Sequence, residues 1–343
     1  MTDNLSFFKT KLFSLSLPSH DEISKIAGET SSILENEITD YREESSDGIP
    51  GGLLDFSSDS LPLIVVPDIH ARPDFIFNIL NFKLPNKFLH KKERVIEALE
   101  KNHIYLVCVG DALHTERTRT RWKQAYEEFE NSFYHGPAMS EEMVCGLNTI
   151  LCLMELKKRF PRNFHFLKGN HENIYNRTGE GDYAFKKYAD EGEMVKRFLF
   201  EVYGDDIIYL LSCIENDMPL MAVSKNCVIS HAEPARAFSR EKIVNARLYP
   251  QVVEGLTWTD NDEAEEGSVD QTIRSLFEGK KINIENFVYL AGHRTVPENY
   301  LLRQKRFIQF HNPAKQNVAI VSGDKVFNPE KDIVSVEKQR GIL

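Results

Sequence analysis

The sequence has no apolar run of the roughly 18–20 residues that a membrane-spanning helix requires. This absence predicts that the chain does not enter a membrane. Met1 to His20 also lacks the unbroken apolar stretch and the small-residue cleavage site of a secretory signal peptide. We therefore expect a cytoplasmic protein with no membrane partner.

Cysteine is scarce, with five residues in 343 and no Cys-x-x-Cys pair. This pattern excludes a disulfide framework and a cysteine-bound structural zinc, and it indicates buried thiols in a reducing compartment. Basic charge is also in deficit, because 42 Lys and Arg face 52 Asp and Glu and the net charge is −10. A nucleic-acid partner normally requires a basic face, so we expect none.

The first sixty residues differ from the rest of the chain. Apolar residues recur near helical spacing between Phe7 and Phe13 and between Ile23 and Leu34, which predicts short helices. Tyr41–Ser60 is polar and rich in Gly, Ser and Asp, which predicts a connecting loop. From Leu61 onward, short apolar runs alternate with amphipathic segments, as is typical of an α/β fold.

Five apolar runs end in a small or turn residue that is followed by Asp, His or Asn. Continuous apolar runs are typical of strands buried on both faces, and ligands gather at the carboxyl ends of such strands. We therefore expect the side chains that follow these runs to share one crevice. They are Asp68, His70, Asp111, Asn170, His171, His231 and His293.

Carboxylates, imidazoles and an amide form a donor set that suits manganese, iron or zinc. Without His171, six donors remain, which is more than one catalytic ion needs. Two ions about 3.5–4 Å apart with Asp111 as the bridge would use them all, and would generate hydroxide from a shared water. A single His or Asp is more often an ordinary polar residue, and His165 and His311 are set aside on that ground.

These motifs resemble those of the calcineurin-like metallophosphoesterases. Five of them match in order: Asp68-Ile69-His70, Gly110-Asp111, Gly169-Asn170-His171-Glu172, Ser230-His231 and Gly292-His293. The segments Leu153–Pro161 and Leu256–Asp260 are most similar to the branch of serine/threonine phosphoprotein phosphatases. The similarity covers Leu61 to Val321. It implies an α/β four-layer sandwich of two mixed β-sheets flanked by helices.

The resemblance also implies a role for each motif residue. It assigns Asp68, His70 and Asp111 to a first divalent ion. It assigns Asp111, Asn170, His231 and His293 to a second. His171 would be the general acid toward the leaving alkoxide, while the bridging hydroxide attacks phosphorus in line.

The sequence departs from the family pattern after Asp111. His114 stands where a carboxylate usually orients the general acid, and Glu116 is the nearest substitute. The arginine that usually holds the phosphoryl group there is also missing. The arginines considered as its replacements are Arg72, Arg117, Arg274 and Arg294. A second histidine after Gly292-His293 is absent, which favours a phosphomonoesterase or pyrophosphohydrolase over a nuclease.

The sequence therefore predicts a metal-dependent phosphoric ester hydrolase, with phosphoserine or phosphothreonine in proteins as the preferred substrate. One alternative is a hydrolase of dinucleoside polyphosphates or of a small phospho-metabolite, motivated by His114 and Arg294. A second is a non-catalytic metal-binding scaffold, although such proteins usually lose a ligand or the general acid and this sequence retains both.

We expect a helical extension over residues 1–60, a catalytic domain over 61–327 and a tail over 328–343. The extension would be either a packed cap beside the catalytic domain or a docking segment for a partner. The alternation of apolar runs with amphipathic segments after Leu61 supports the first boundary, and the end of the family resemblance supports the second.

Overall fold

The computed structural model describes residues 3–85, 87–88, 92–115, 119–186, 190–280, 282–323 and 325–337. Its strands are β1 (Leu53–Asp55), β2 (Leu63–Val66), β3 (Tyr105–Cys108), β4 (Phe164–Phe166), β5 (Met221–Val223), β6 (Cys227–Ser230), β7 (Val288–Ala291), β8 (Leu301–Arg303), β9 (Phe307–Gln309), β10 (Asn317–Val321) and β11 (Ile333–Ser335). Its α-helices are α1 (Asp3–Leu12), α2 (His20–Glu35), α3 (Pro73–Asn81), α4 (Val95–Glu100), α5 (Arg119–Glu130), α6 (Pro137–Arg159), α7 (Glu191–Tyr203), α8 (Asp205–Asp217), α9 (Arg240–Val244), α10 (Pro250–Thr257), α11 (Ser268–Leu276) and α12 (Pro329–Asp332). A 3₁₀-helix spans Ala246–Leu248. In the described part of the chain, no helix combines the length and the hydropathy that a bilayer crossing requires.

The strands form two mixed sheets. One has the order β11-β10-β2-β3-β4, and the other has the order β1-β5-β6-β7-β9-β8. In the first sheet β2, β3 and β4 are parallel, and in the second β6, β7 and β9 are parallel. The carboxyl ends of each parallel set therefore meet at one edge of its sheet, which is where a crevice can form.

Side chains that alternate between the two faces of each sheet form the apolar layers of the fold. Val65 and Ile229 point into an apolar cluster between the two sheets. Their neighbour Ile64 points instead into a cluster with the helices α1–α8, and Val228 points into one with α9–α11. Because successive strand residues face opposite sides, both sheets are apolar on both faces. The predicted sandwich of two mixed sheets flanked by helices is confirmed.

Residues 3–60 are packed against the rest of the chain. Helix α1 contacts α3 and α6, and α2 contacts α6 and α8. The prediction of a loop over Tyr41–Ser60 is wrong for Leu53–Asp55, which pairs with β5 as the edge strand β1. A three-residue strand among Gly, Ser and Asp residues gives no periodic signal, so only its pairing partner reveals it. Beyond residue 327, β11 similarly pairs with β10.

A buried ionic cluster joins this N-terminal segment to α6. Nζ of Lys157 donates to the carboxylate of Glu37, whose other oxygen accepts from Arg42 at 2.8 Å. Lys157 also donates to Nδ1 of His165 at 3.0 Å, and Nε2 of His165 donates to the carbonyl of Arg162 at 2.9 Å. These bonds fix His165 as the neutral tautomer protonated on Nε2. The cluster anchors helix α6, which leads into β4 and into the loop that carries Asn170.

We expect this cluster to make folding stability depend on pH. Burial and the adjacent Lys157 ammonium lower the pKa of His165 to about 3, so His165 stays neutral in the folded state while the unfolded chain takes up a proton below its ordinary pKa. The free energy of unfolding therefore falls with decreasing pH, by up to about 1.4 kcal/mol per pH unit. Glu37 adds to this slope only below its ordinary pKa of about 4.5, because its folded pKa is lowered to about 2.

Denaturant unfolding of the His165→Gln variant between pH 6.5 and 4.5 tests this expectation. The free energy of unfolding should change less steeply with pH in the variant than in the wild type. The difference in slope should approach that of one proton, about 1.4 kcal/mol per pH unit. The matched variant His135→Gln changes an exposed histidine and should keep the full slope. Equal slopes for the wild type and His165→Gln would contradict the assignment.

Candidate metal centre

Each candidate ligand stands in a sharp turn after a strand. His70 follows β2, Asp111 follows β3 and His293 follows β7. All three have left-handed backbone conformations, with φ of 46°, 53° and 61°. Such angles are uncommon for residues that carry a Cβ, and they cluster at functional sites. The turns bring side chains from both sheets to one shared edge.

Asp68, His70 and Asp111 form a first group of donor atoms. Nε2 of His70 lies 3.7 Å from Oδ2 of Asp68 and 3.7 Å from Oδ2 of Asp111. These separations are too long for hydrogen bonds. They are close to the roughly 3–3.5 Å between two ligands of one ion whose metal–ligand bonds are about 2.0–2.2 Å.

Asn170, His231 and His293 form a second group. Nε2 of His231 lies 2.9 Å from Oδ1 of Asn170 and 3.2 Å from Nδ1 of His293. Nδ1 of His293 is 3.1 Å from the same Asn170 oxygen. Asp111 lies between the groups, because its Oδ1 is 3.5 Å from Nε2 of His231 while its Oδ2 faces His70. A carboxylate in this position could bridge two ions.

Backbone carbonyls orient two of the imidazoles. Nδ1 of His70 donates to the carbonyl of His114 at 2.8 Å, and Nδ1 of His231 donates to the carbonyl of Val109 at 3.0 Å. A donated Nδ1 proton leaves the lone pair on Nε2, the atom that faces the other donors. Both histidines are thus held in the tautomer that a metal ion binds.

The carboxylate of Glu172 connects the turns after β3 and β4. It accepts the backbone N–H of Asp111 at 2.8 Å, of Ala112 at 2.9 Å and of Gly169 at 2.8 Å. Oδ1 of Asp111 in turn accepts the backbone N–H of His171 at 3.0 Å. These bonds give Glu172 of the Gly-Asn-His-Glu motif a structural task, which is to hold Asp111 in place.

The protonation states suit cation binding. Burial acts to raise the pKa of Asp68, but the imidazoles of His311 and His70 outweigh it and hold that pKa well below its ordinary value. Burial lowers the pKa of His231 and holds that of His293 well below its ordinary value. At neutral pH the site therefore presents an ionised Asp68 and neutral His231 and His293 rings, the forms that bind metal.

The residues present fit two divalent ions. Oδ2 of Asp68 is buried and finds no hydrogen-bond partner within the described residues. A buried carboxylate oxygen without a donor is costly unless a cation satisfies it. Nitrogen and oxygen donors together suit zinc, iron or manganese. The predicted pair of divalent ions is consistent with this donor set.

Gly292 allows Asp68 to reach its position. A Cβ at Gly292 would overlap the Asp68 carboxylate, whose Oδ1 accepts the backbone N–H of His293 at 3.0 Å. We expect Gly292→Ala to displace Asp68 and to weaken metal binding at least about tenfold, as loss of a supporting contact does. Metal content after dialysis against limiting zinc measures the effect. Gly28→Ala, where a Cβ meets nothing within 4 Å, is the matched control.

His171 lies beside the two groups and packs among rings. Its Nε2 is 3.6 Å from Oδ2 of Asp111, and its ring centroid is 3.6 Å from that of Phe185 and 5.0 Å from that of His114. Burial and the nearby His70 lower the pKa of His114 to about 3, so His114 is neutral at physiological pH. It therefore does not replace the orienting carboxylate electrostatically. Glu116, the other candidate for that role, lies outside the described residues.

The structure describes three of the four candidate phosphate-binding arginines, and they lie in different surroundings. Arg72 is buried and donates to the carbonyls of Asp68, Ile69 and Lys315, so its guanidinium holds the ligand turn and does not face substrate. Arg274 lies on the exposed face of α11, and the described residues around the site cavity do not include it. The expectation that Arg72 binds substrate is therefore corrected, whereas that for Arg274 stays a prediction. Arg294 lies at the mouth of the site, and Arg117 lies outside the described residues.

The mouth of the site is a cavity of about 140 Å³. Around its rim lie two cations and two aromatic rings: Arg294, Lys186, Phe185 and Trp258. Arg294 is half-exposed and pairs with Asp260 at 2.6 Å, which partly neutralises it. Sequence reasoning did not identify Phe185 or Lys186, because neither belongs to a motif. It also set aside His311, which lies 3.9 Å from Asp68 (Nε2 to Oδ2).

The sequence profile of the family described as calcineurin-like phosphoesterase matches residues 61–329. No curated protein sequence matches the chain. The fold resembles a serine/threonine phosphatase from Saccharomyces cerevisiae with similarity to human phosphatase PP5, at 11% identity and a TM-score of 0.59 over 96% of this chain and 94% of that one. A cold-active protein-tyrosine phosphatase from Shewanella sp. gives 12% identity and a TM-score of 0.44 over 83% and 82%. At 11% identity, the likeness to the yeast protein shows a shared fold.

Proposed function

We propose that this chain, which belongs to the calcineurin-like phosphoesterase family, is a two-metal phosphomonoesterase acting on phosphoserine and phosphothreonine in proteins. As a member of that family it is a metal-dependent phosphoric ester hydrolase, in agreement with the sequence prediction. The observation that carries the dinuclear assignment is the pair of donor groups on either side of Asp111, which faces His70 with one oxygen and His231 with the other.

Each part of the site has a task in this reaction. Two divalent ions held by the donor groups on either side of Asp111 would supply an activated water and would neutralise charge on the phosphoryl group. Arg294 and Lys186 at the mouth would bind phosphoryl oxygens, where negative charge develops in the transition state. Nε2 of His171 faces the donor groups and would deliver a proton to the leaving oxygen. The neighbouring Phe185 ring excludes water from one face of that imidazole.

The size of the cavity supports a substrate whose bulk stays outside. At about 140 Å³ it is smaller than the roughly 300–1,000 Å³ of pockets that enclose a whole small molecule. A phosphorylated side chain can enter such a cavity while its peptide lies across the rim. This geometry favours a phosphoprotein over a free metabolite, and all five free cysteines suit a reducing compartment such as the cytoplasm.

Phosphate release from a phosphothreonine peptide tests the proposal. Protein stripped of metal should be inactive, and activity should return with manganese, zinc or iron. Asp111→Asn should reduce turnover to the metal-free level, whereas Asp21→Asn at an exposed position should not change it. Wild-type turnover that survives metal removal, or an active Asp111→Asn variant, would reject the two-metal assignment.

A second candidate substrate is a dinucleoside polyphosphate, and the aromatic rim favours it. Trp258 is half-buried at the mouth, which Phe185 also lines, so a nucleobase could stack there. Stacking of a base on an aromatic side chain contributes about 1–3 kcal/mol. Trp258→Leu should then lower kcat/KM for diadenosine tetraphosphate about tenfold or more and change phosphopeptide hydrolysis little. A strong preference of the wild type for the dinucleotide would reject the phosphoprotein substrate.

A further inference from the structure

His311 lies in the first donor group although no motif includes it. Its Nε2 is 3.9 Å from Oδ2 of Asp68, and its ring centroid is 5.3 Å from that of His70. The side chains of His311 and Asp68 are both fully buried. Asp68, His70 and His311 each offer one donor atom, and these three atoms lie within 4.8 Å of one another.

The geometry points to His311 as a fourth protein ligand of the first metal ion, beside Asp68, His70 and Asp111. This inference rests on the two-metal site proposed above and adds a residue to it. A first position with two imidazoles and two carboxylates differs in chemistry from one with a single imidazole. It would favour an ion that accepts nitrogen donors, such as Zn²⁺ or Fe²⁺, over Mn²⁺.

The separation from Asp68 is too long for a hydrogen bond between His311 and that carboxylate. A histidine that donates to a carboxylate does so at about 2.7–3.0 Å, whereas His311 stays 3.9 Å away. His70 likewise stays 3.7 Å from the same oxygen, and that oxygen has no hydrogen-bond partner in the described part of the chain. Two imidazoles that face one buried carboxylate oxygen at this range leave a gap that a cation with bonds of about 2.0–2.2 Å would fill.

The sheet explains how His311 reaches the site. Strands β7 and β9 are parallel neighbours, with Ala291 paired to Gln309. His293 lies two residues after Ala291, and His311 lies two residues after Gln309. The two strands therefore place an imidazole at matching positions. His293 joins the second donor group and His311 the first.

The backbone around His311 is held rigidly. Its carbonyl accepts the N–H of Val296 at 2.8 Å, and the neighbouring Asn312 donates its side-chain amide to the carbonyl of Val296 at 2.8 Å. Oδ1 of Asn312 accepts the N–H of Ala314 at 2.9 Å. A ligand held by such contacts is positioned before the ion arrives, as metal sites require.

Zinc titration of His311→Asn and His311→Gln tests the inference. We expect the wild type to bind two ions, and both variants to bind one of them at least about tenfold more weakly, by calorimetry and by metal content after dialysis. The visible spectrum of bound Co²⁺ should also change, because one nitrogen donor is lost. The matched variant His135→Asn should behave as the wild type does.

The outcomes separate this inference from the proposed function. If the wild type binds no divalent ion, the proposed two-metal function fails. If the wild type and both folded His311 variants bind two ions with equal affinity and identical Co²⁺ spectra, only the role of His311 is overturned. Circular dichroism establishes folding. If His311→Asn misfolds, the zinc affinity of His311→Gln, which retains a polar side chain of similar length, decides between the two outcomes.

Discussion

Replacing His171 with asparagine is expected to lower kcat for a phosphothreonine peptide by about 10²–10⁴. An alkoxide is a poor leaving group and needs a proton in the transition state, and Nε2 of His171 is placed to supply it. A nitrophenolate leaves readily without a proton. The same variant should therefore lose much less activity toward p-nitrophenyl phosphate, and this difference is the signature of a general acid.

Measuring the bound metal in each variant provides the control for this experiment. Because His171 is not among the proposed ligands, His171→Asn should keep both ions, while His231→Asn should lose one. His103→Asn, at a half-exposed surface position, should retain full activity on both substrates. An equal loss on the alkyl and aryl substrates would show that His171 positions the substrate or an ion and does not donate the proton.

Glu37→Gln is expected to lower the free energy of unfolding by about 3–5 kcal/mol. The substitution leaves Lys157 and Arg42 buried without their anion, and each of the three side chains is at most 3% exposed. Burial and the loss of the Glu37 charge would then lower the pKa of Lys157 further below the value of about 8 that it has beside Glu37. Urea denaturation at neutral pH measures the loss.

Two further variants make the Glu37 result specific. Glu37→Gln combined with Lys157→Met removes one stranded cation and should recover part of the stability. Asp40→Asn breaks an exposed pair with Arg162 and should cost less than about 1 kcal/mol. A Glu37→Gln loss no larger than that of Asp40→Asn would contradict the role of this cluster in joining the N-terminal segment to α6, and would count against the expectation that residues 1–60 form a packed cap.

The fold was largely predictable where one strand carries a strong local signal. Leu63–Val66 and Tyr105–Cys108 are unbroken apolar runs, and their burial on both faces follows from the sandwich. Helix α6 begins at Pro137, because Gly136 has the extended N-cap conformation and proline suits the first turn. The short edge strand β1 depends on pairing across a large sequence distance, which no local pattern contains.

The site was predictable where a ligand follows a glycine or forms a motif. His311 ends a run that contains the polar Gln309 and lacks a preceding glycine, so its local pattern is that of an ordinary polar residue. Its relation to the site arises from the register between β7 and β9. The position of Arg72 was equally hidden, because whether a guanidinium meets carbonyl oxygens or open solvent is decided by three-dimensional packing.

The bonds that shape the ligand turns are internal to the protein. Glu172 ties together the turns after β3 and β4 through amide protons, and Asp68 is tied to the turn after β7 in the same way. We therefore expect the surrounding backbone to keep its shape whether or not an ion is bound. Which metal ion occupies the centre would then depend on the ions that the surroundings supply and not on the ion that was present during folding. A single polypeptide could therefore work with more than one cation.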